Sequence, residues 1–445
     1  MSSSLFTIAS SGARAAKAAL DVTSQNIANV STEGYVRRSL SLAELASASA
    51  FGYTQEVSLS GVRIDGVSRN ADLFRQAEVR RTGADAAKAG SELKGLENVE
   101  AALEQARLFP AMSSFEASLQ RLTANPVDQS MRAQTLEDAR TLAHTFNIAA
   151  QGLTEVGNGL RFEATDETGQ VNLLAGELGR VNLQLARSQN GSSDQVRLLD
   201  ARDNLLQKLS GYVDLSTTIG ANQTVEVRLG GSGGPQLVSG GTVNPFEMTT
   251  AGDGTISFTL SGNPVTVSSG SLAGRAQALV AVRDNLLTLD TTANALQTAV
   301  NGVQTAGAAL DGSAGLPLFT GSGAAGIALN LTSGNQIATA PGGAGAGSRD
   351  PANLNALRSA LSSADISGQI DAQLFSASSA VAGRKVTSKA LDTIASSAKI
   401  ALSEQAGVDL DQEAVNLIRY QQAFQACGKA MQVASDLFDT ILAIR

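Results

Sequence analysis

The sequence predicts a mainly α-helical, multidomain chain with a small β domain inserted, its N- and C-terminal helices paired as a coiled coil. Three observations carry this. Apolar residues recur at alternating steps of three and four over much of the chain, the spacing of a coiled-coil seam. That spacing is strict at both chain ends. Between the helical stretches, residues 212–270 contain Arg228 as their only Lys or Arg and are rich in Thr, Val, Ser and Gly, a composition of short strands and turns. At 445 residues the chain is too long for one hydrophobic core, since such cores stop growing beyond ~250–300 residues.

Residues 3–29 read as the first helix, with Phe6, Ala9, Ala13, Ala16, Leu20, Thr23, Ile27 and Val30 along one side. Most of this seam is alanine. It permits close approach but buries little area, and at ~25 cal/mol per Å² such a stripe does not anchor an isolated helix. The segment SQNIANVSTEGYVRR, residues 24–38, ends it. On local physics Asn29 is a candidate left-handed terminator. Ser31 and Thr32 bond their own backbone in a turn, Gly34 supplies positive φ, and Tyr35 begins an extended stretch. Residues 36–80 hold short alternating runs broken by glycine, read as a few strands and loops.

Helical periods return from about 84 to 210, with Leu136, Ala139, Ala143, Phe146, Ala150 and Leu153 on one seam and Val171, Leu174, Leu178, Val181 and Leu185 on another. LLDARDNLLQKLSG closes the region at Gly211. Within 212–270, TVEVRLGG and DGTISFTLSGNPVTV read as strands. Residues 273–310 are helical again, and residues 311–350, with ten glycines, read as a loop or linker. Helix resumes from about 352. In the last stretch Asp409 is the expected N-cap with Gln412 three residues on, and Asp411 and Glu413 favour the helix dipole. Leu417, Tyr420, Phe424, Cys427, Met431, Ala434, Phe438 and Ile441 then form one continuous stripe. The expected domains are 1–35 with 405–445 as the terminal coiled coil, 36–211 with 271–404 as the helical body, and 212–270 as the β insertion.

Composition excludes several function classes. The net charge is −8 and no Lys/Arg block occurs, whereas nucleic-acid binding by charge needs a basic face. Aromatics are 4% with no Trp, which disfavours a deep pocket. No apolar run approaches the ~18 residues of a membrane span, so no membrane insertion is expected. No basic segment precedes an apolar stretch at the start, so no cleavable secretory signal is expected.

The single His144 lacks a nucleophile in a recognisable elbow. The single Cys427 lies on the apolar stripe and behaves best as a small hydrophobe. Asp409, Asp411 and Glu413 are better explained by capping than by a metal. Asp200, Arg202 and Asp203 are better explained by a structural salt bridge than by acid–base chemistry. GGSGG at 230–234 lacks the helix start and Lys of a phosphate cradle and reads as a hairpin loop. No catalytic residue, metal or cofactor is expected, and the chain is read as no enzyme.

NIANVSTEGY resembles the Asn-Ile-Ala-Asn…Thr-x-Gly-Tyr signature of the flagellar axial proteins, the rod, hook and hook-associated proteins. The match places the signature on Asn26, Asn29, Thr32, Gly34 and Tyr35; Glu33 departs from the family's frequent Pro. SSLFTIASSGARAAKAAL, LLDARDNLLQKLS and the last 39 residues resemble the hook-associated branch, and the Asp-x-Arg-Asp segment is lacking in rod and hook proteins. The resemblance is strong at both ends and weak in the β insertion and the Gly-rich stretch. It implies an extracellular structural subunit at the junction of hook and filament, required for filament assembly. It implies self-association in a helical ring, the hook protein on one side, the third hook-associated protein on the other, and a cytoplasmic export chaperone at the C-terminal region. Export would use the flagellar type III apparatus without a cleaved signal. Phe6, Leu20, Ile27, Leu417, Tyr420, Phe424, Met431, Phe438 and Ile441 would be the helix-packing residues between subunits. The alternatives are another axial protein, such as the hook protein or the third hook-associated protein, and a secreted hydrolase with a β accessory domain.

Overall fold

Ten helices and thirteen short strands follow one another along the chain, in a computed structural model that describes residues 2–32, 34–47 and 58–443. Helix α1 (Ser2–Ala28) leads into strands β1 (Arg38–Ser47) and β2 (Ser58–Arg69). Then come α2 (Leu73–Ala106), α3 (Leu108–Ala124), α4 (Gln129–Arg187) and α5 (Ser193–Tyr212). Strands β3 (Leu215–Ile219), β4 (Val225–Leu229), β5 (Gln236–Ser239) and β6 (Thr242–Val243) form one sheet in that order. Strands β7 (Phe246–Thr250), β8 (Ile256–Leu260) and β9 (Asn263–Val265) form a second. After α6 (Ser271–Ala306) the Gly-rich stretch holds β10 (Gly307–Ala308), β11 (Phe319–Thr320), a single turn α7 (Gly323–Gly326), β12 (Ala328–Leu329) and β13 (Ala340–Pro341). Helices α8 (Ala352–Ala364), α9 (Ile366–Ala406) and α10 (Leu410–Ala443) complete the chain. Glu33 lies outside the described residues, as does the side chain of Ile441.

The mainly helical class with paired terminal helices is what the structure shows: α1 packs along α10. The helix seen from Leu73 starts inside the stretch read as strands and loops. The chain divides into two compact units. One comprises Met1–Asp85, Gln170–Phe246 and Asp392–Arg445; the other comprises Ala86–Gly169 and Glu247–Leu391. The segment expected as one β domain, 212–270, therefore supplies the four-stranded sheet of the first unit and nearly all of the three-stranded sheet of the second. Strand signals are local, and nothing local records which sheet a strand joins.

In the first unit α1 buries two faces. Ala9, Ala13, Ala16 and Thr23 belong to the seam read from sequence, while Ser11, Ala15, Val22 and Asn26 add a second buried row. The second row meets the β1–β2 hairpin, where the Val62 amide donates to Ser11 Oγ at 3.2 Å. Toward α10, Gly12 faces Cys427: a Cβ there would lie 2.9 Å from Cys427 Sγ. The half-buried Cys427 thus packs as the small hydrophobe expected of it. Gly12→Ala is expected to weaken the helix pair by about 1 kcal/mol, the scale of mild overpacking, and Cys427→Ala should relieve it. Thermal melts of the two single variants and the double variant check this. A double variant as unstable as the sum of the singles would mean that the two residues do not meet.

In the second unit the core is built from α2, α3, α4, α6, α8 and α9, with Met112, Phe115, Leu119, Phe146, Leu153, Leu296 and Leu354 essentially inaccessible. The Gly-rich stretch differs from the linker expected of it. Leu318, Phe319, Ile327, Leu331 and Ile337 from 311–350 are buried in this core, and Phe319 meets Phe115 edge-on at 6.2 Å between ring centres. Arg132, near the start of α4, is fully buried and holds the stretch in place. Its Nε donates to Pro126 O at 2.6 Å, its Nη1 to Gly334 O at 3.2 Å and Ile337 O at 2.9 Å, and its Nη2 to Thr339 Oγ1 at 2.6 Å. No carboxylate pairs with it among these contacts. Burial accordingly lowers its pKa to about 10, which still leaves it charged at neutral pH.

Candidate functional site

The 24–38 segment works as an anchor between the end of α1 and the elements around it. Asn26, the last buried position of α1, is 1% exposed. Its Nδ2 donates to Arg38 O at 2.9 Å, while its Oδ1 accepts from the Arg38 amide at 3.0 Å and from the Tyr35 hydroxyl at 2.9 Å. One side-chain amide therefore satisfies both backbone groups of Arg38, as a neighbouring strand would. Between them the chain turns twice: the Thr32 amide donates to Asn29 O and the Tyr35 amide to Thr32 O. Thr32 Oγ1 bonds Asn29 Oδ1 at 3.3 Å. Gly34 takes the positive φ expected of it, +77°. Asn29 does not take the left-handed conformation considered for it; its Nδ2 instead bonds Gln25 O at 2.9 Å and closes the last helical turn.

The segment's arginines then reach distant elements. The Arg38 guanidinium stacks on Tyr35 at 4.8 Å from the ring centre and donates to Asp200 Oδ2 at 2.7 Å. Arg69, at the end of β2, approaches Asp200 Oδ1 at 2.9 Å and Asp203 Oδ2 at 2.8 Å. Asp203 also accepts from Arg202 and from Gln76 Nε2, and Arg202 continues to Gln223 O at 2.7 Å. The Asp-x-Arg-Asp run on α5 thus receives Arg38 from the N-terminal motif and Arg69 from the end of β2, in line with the salt-bridge reading of it.

A second link runs to the C-terminal helix. Arg37 Nε donates to Glu413 Oε1 at 2.7 Å, and Glu413 is 1% exposed. The Arg37 amide donates to Ala406 O, and Asn70 Nδ2 to Gln405 O. Asp409 caps α10 through the amides of Asp411 and Gln412. Sequence reasoning placed Glu413 correctly in the first turn and missed its partner, as it missed Arg37, Arg38, Arg69 and Gln76. Those partners lie up to 376 residues apart, so no spacing in the sequence signals them.

Electrostatics separate the two aspartates. Burial pushes the Asp200 carboxyl up, and Arg69 and Arg38 only partly counter it, so its pKa is raised. Burial acts the same way on Asp203, but Arg202 and Arg69 outweigh it and the pKa is lowered. On acidification Asp200 therefore takes its proton before Asp203. In the window above the ordinary carboxylate value, near ~3.9, the native state binds the extra proton at Asp200 and stability rises slightly as pH falls. Asp203 contributes stability that is present above that value and is lost as pH falls through its own lower pKa. Carboxyl-carbon NMR titration is expected to show Asp200 titrating first, with weakening of the Arg38 contact before the fold is lost. The reverse order would contradict the assignment. Burial also raises the Tyr35 pKa, keeping its hydroxyl protonated as the donor to Asn26.

An open cleft of about 660 Å³ adjoins the motif, lined among others by Tyr35, Arg38, Glu177, Arg180, Asn204 and Lys208. Ligand pockets are mostly apolar and aromatic; this one has a single ring among charged and amide groups. Among the described residues no group of three or more His, Cys, Asp or Glu stands close enough to hold a metal ion. His144 is an exposed helix residue. The geometry joins chain segments of α1, the β1–β2 hairpin, α5 and α10.

Among the described residues, those expected to pack between subunits lie on the terminal helices in two states. Leu20, Ile27, Leu417, Tyr420 and Met431 are half-buried. Phe6, Phe424 and Phe438 remain 50%, 42% and 53% exposed.

Comparison with known proteins gives matches in all three parts of the chain. Residues 93–319, about half of it, match the flagellar hook-associated protein FlgK helical domain. Residues 6–35 match the flagella basal body rod protein family, and residues 401–444 the flagellar basal body rod FlgEFG protein C-terminal family. Flagellar hook-associated protein 1 of Bacillus subtilis is 30% identical over 211 residues, 46% of this chain and 42% of the relative. Its counterpart in Salmonella typhimurium is 29% identical over 248 residues, 54% and 43% of the two chains. The chain thus spans less than half the length of these relatives. The structure of the flagellar hook junction protein FlgK from Burkholderia pseudomallei is similar at a TM-score of 0.49 and 20% identity, over 55% of this chain and 46% of that one.

Proposed function

We propose, from the premise that the chain belongs to the flagellar hook-associated protein FlgK family, that it is a structural subunit joining hook to filament and required for filament assembly. One observation carries the reading beyond membership. The paired terminal helices keep large apolar side chains in water, including Phe6, Phe424 and Phe438 at 42–53% exposure. Exposed apolar surface of this kind, on helices already paired within the chain, marks a place for neighbours.

In this reading copies of the chain form a short ring whose terminal helices line the axial core. The hook protein lies on one side of the ring and the third hook-associated protein on the other. The chain acts outside the cell and performs no catalysis, and no cofactor takes part. It leaves through the flagellar type III apparatus without a cleaved signal, with a cytoplasmic chaperone on its C-terminal region until export. Among the described residues no helix is long and apolar enough to cross a membrane. Electron microscopy of a strain lacking the chain tests the proposal. Hooks without filaments, with monomeric flagellin in the medium, are expected. Intact filaments would sink it.

A further inference from the structure

Three asparagines of the chain are followed directly by glycine: Asn158, Asn190 and Asn301. With no Cβ on the next residue, the backbone nitrogen after such an asparagine is the one freest to reach its side-chain carbonyl. Two of the three are held off that path. Asn158 and Asn301 lie within α4 and α6, where the next amide is committed to the helix. Asn301 is also bonded at both ends of its side-chain amide to the backbone of Phe319. Asn190 stands instead in the turn between α4 and α5 and is exposed. Gly191 follows it at a φ of +74°. One buried side chain, Gln195 at 7% exposure, touches both groups. The Gly191 amide donates to Gln195 Oε1 at 2.9 Å, and Gln195 Nε2 donates to Asn190 Oδ1 at 3.0 Å. The Gly191 N–H fixes which end of the Gln195 amide is the oxygen, so the donor end faces Asn190.

We propose that Asn190 is a site of self-modification, at which the chain converts this asparagine to aspartate or isoaspartate with Gln195 acting on both reacting groups. The Gly191 nitrogen gives its proton to water and attacks Asn190 Cγ. A bond forms between them, the Cγ–Nδ2 bond breaks, and Nδ2 leaves with a proton as ammonia. Water then opens the cyclic imide. Opening at Cγ leaves aspartate, and opening at the main-chain carbonyl leaves isoaspartate. Water is the one co-reactant. Both Gln195 contacts favour the first step. Oε1 draws on the amide proton that must leave, and Nε2 stands where negative charge develops on Oδ1, the place of an oxyanion donor. The reaction needs a single chain and is independent of assembly. Its product falls where the backbone has no slack. Gly191 O accepts the Val67 amide at 2.9 Å, and a Cβ on Gly66 would lie 2.9 Å from Gly191 Cα. Isoaspartate adds a methylene to the main chain at this point. Strand β2, which carries Arg69 to Asp203, rests on the turn, so conversion loosens the hold on the β1–β2 hairpin as the chain ages.

The test incubates the purified full chain at neutral and mildly alkaline pH, below its melting temperature. Peptide mass spectrometry locates the mass gain of amide-to-acid conversion, and enzymatic methylation detects isoaspartate. Conversion is expected first at residue 190 and faster at the higher pH, with Asn158 and Asn301 intact. In urea the lead of Asn190 over the other two is expected to vanish. Gln195→Met removes both contacts at similar volume. It is expected to slow conversion on the order of tenfold, short of the ~10²–10³ that an enclosed oxyanion donor supplies, because Asn190 lies in water. Gln195→Glu keeps an acceptor for the Gly191 amide but offers Asn190 no donor at neutral pH. It is expected to be slow as well, and it decides the matter should Gln195→Met melt low. Isoaspartyl chains separated from the parent are expected to exchange the Val67 amide hydrogen faster. No conversion at 190, or conversion at 158 or 301 ahead of it, would overturn the site. Folded Gln195 variants that convert as fast as the parent would overturn the part given to Gln195, and unchanged exchange at Val67 would overturn the link to the hairpin.

Discussion

Arg132→Met is expected to destabilise the protein by about 3 kcal/mol, because two buried carbonyls, Pro126 O and Ile337 O, lose the guanidinium at once while Gly334 O keeps only the Ile337 amide. Each acceptor left unsatisfied costs ~1–3 kcal/mol. The guanidinium reaches Pro126 O, Gly334 O and Ile337 O together, so the loss is concentrated where the Gly-rich stretch meets α4. One effect opposes it: burying a cation without a carboxylate is itself costly, and an apolar replacement removes that cost. The carbonyls decide the sign here, since they belong to backbone that stays in place and methionine offers them nothing. Arg132→Lys discriminates further. It keeps the charge but lacks the fork that serves Pro126 on one side and Ile337 on the other, so it is expected to be no better than methionine. Urea unfolding followed by circular dichroism gives the stability, and limited proteolysis reports the site. New cleavage within 311–350 is expected in both variants. A methionine variant as stable as the parent would show that the arginine holds nothing.

That stretch shows where the sequence was legible and where it was not. Its ten glycines imply a linker if each is counted as freedom. The residues that decide its state are Leu318, Phe319, Ile327, Leu331 and Ile337, too irregularly spaced to make a period. The partner that fixes them, Arg132, lies some 200 residues away. The terminal helices were legible because a seam is a repeat, and repeats survive in one dimension. The candidate site divides the same way. Asn26, Gly34 and Tyr35 were visible as a tight polar cluster after a helix, and Asp200 and Asp203 as paired acids within a turn. What joins the two groups is Arg38 and Arg69, ordinary surface arginines by composition. Their role exists only after the hairpin has brought them to α5.

The larger effect on function is expected at Asn26. Its side chain donates to Arg38 O and accepts from the Arg38 amide, both in a largely buried setting. Asn26→Ala strands that donor and that acceptor and frees the Tyr35 hydroxyl as well. At ~1–3 kcal/mol for each backbone group left unpaired, and with water able to reach part of the vacated space, a loss of about 2–4 kcal/mol follows. The loss falls on the turn that sets the direction of the chain between α1 and the β1–β2 hairpin, so swimming is expected to fail with it. Two neighbouring substitutions separate this account from a general intolerance of the motif. Tyr35→Phe removes one hydrogen bond and leaves the Arg38 backbone satisfied, so it should cost only ~0.5–1.5 kcal/mol and leave motility largely intact. Asn26→Asp keeps the shape and the acceptor but cannot donate to Arg38 O, and it sets a carboxylate oxygen against that carbonyl. It should therefore fall nearer to alanine than to the parent at neutral pH. Protonation restores a donor, so Asn26→Asp should recover stability relative to Asn26→Ala as pH is lowered toward 4, near the ordinary carboxylate pKa. Melting curves of the three variants between neutral and acidic pH, with swimming on soft agar, are the measurements. Equal losses for Asn26→Ala and Tyr35→Phe, or an aspartate variant that does not recover on acidification, would mean that the amide does not bridge the Arg38 backbone as described.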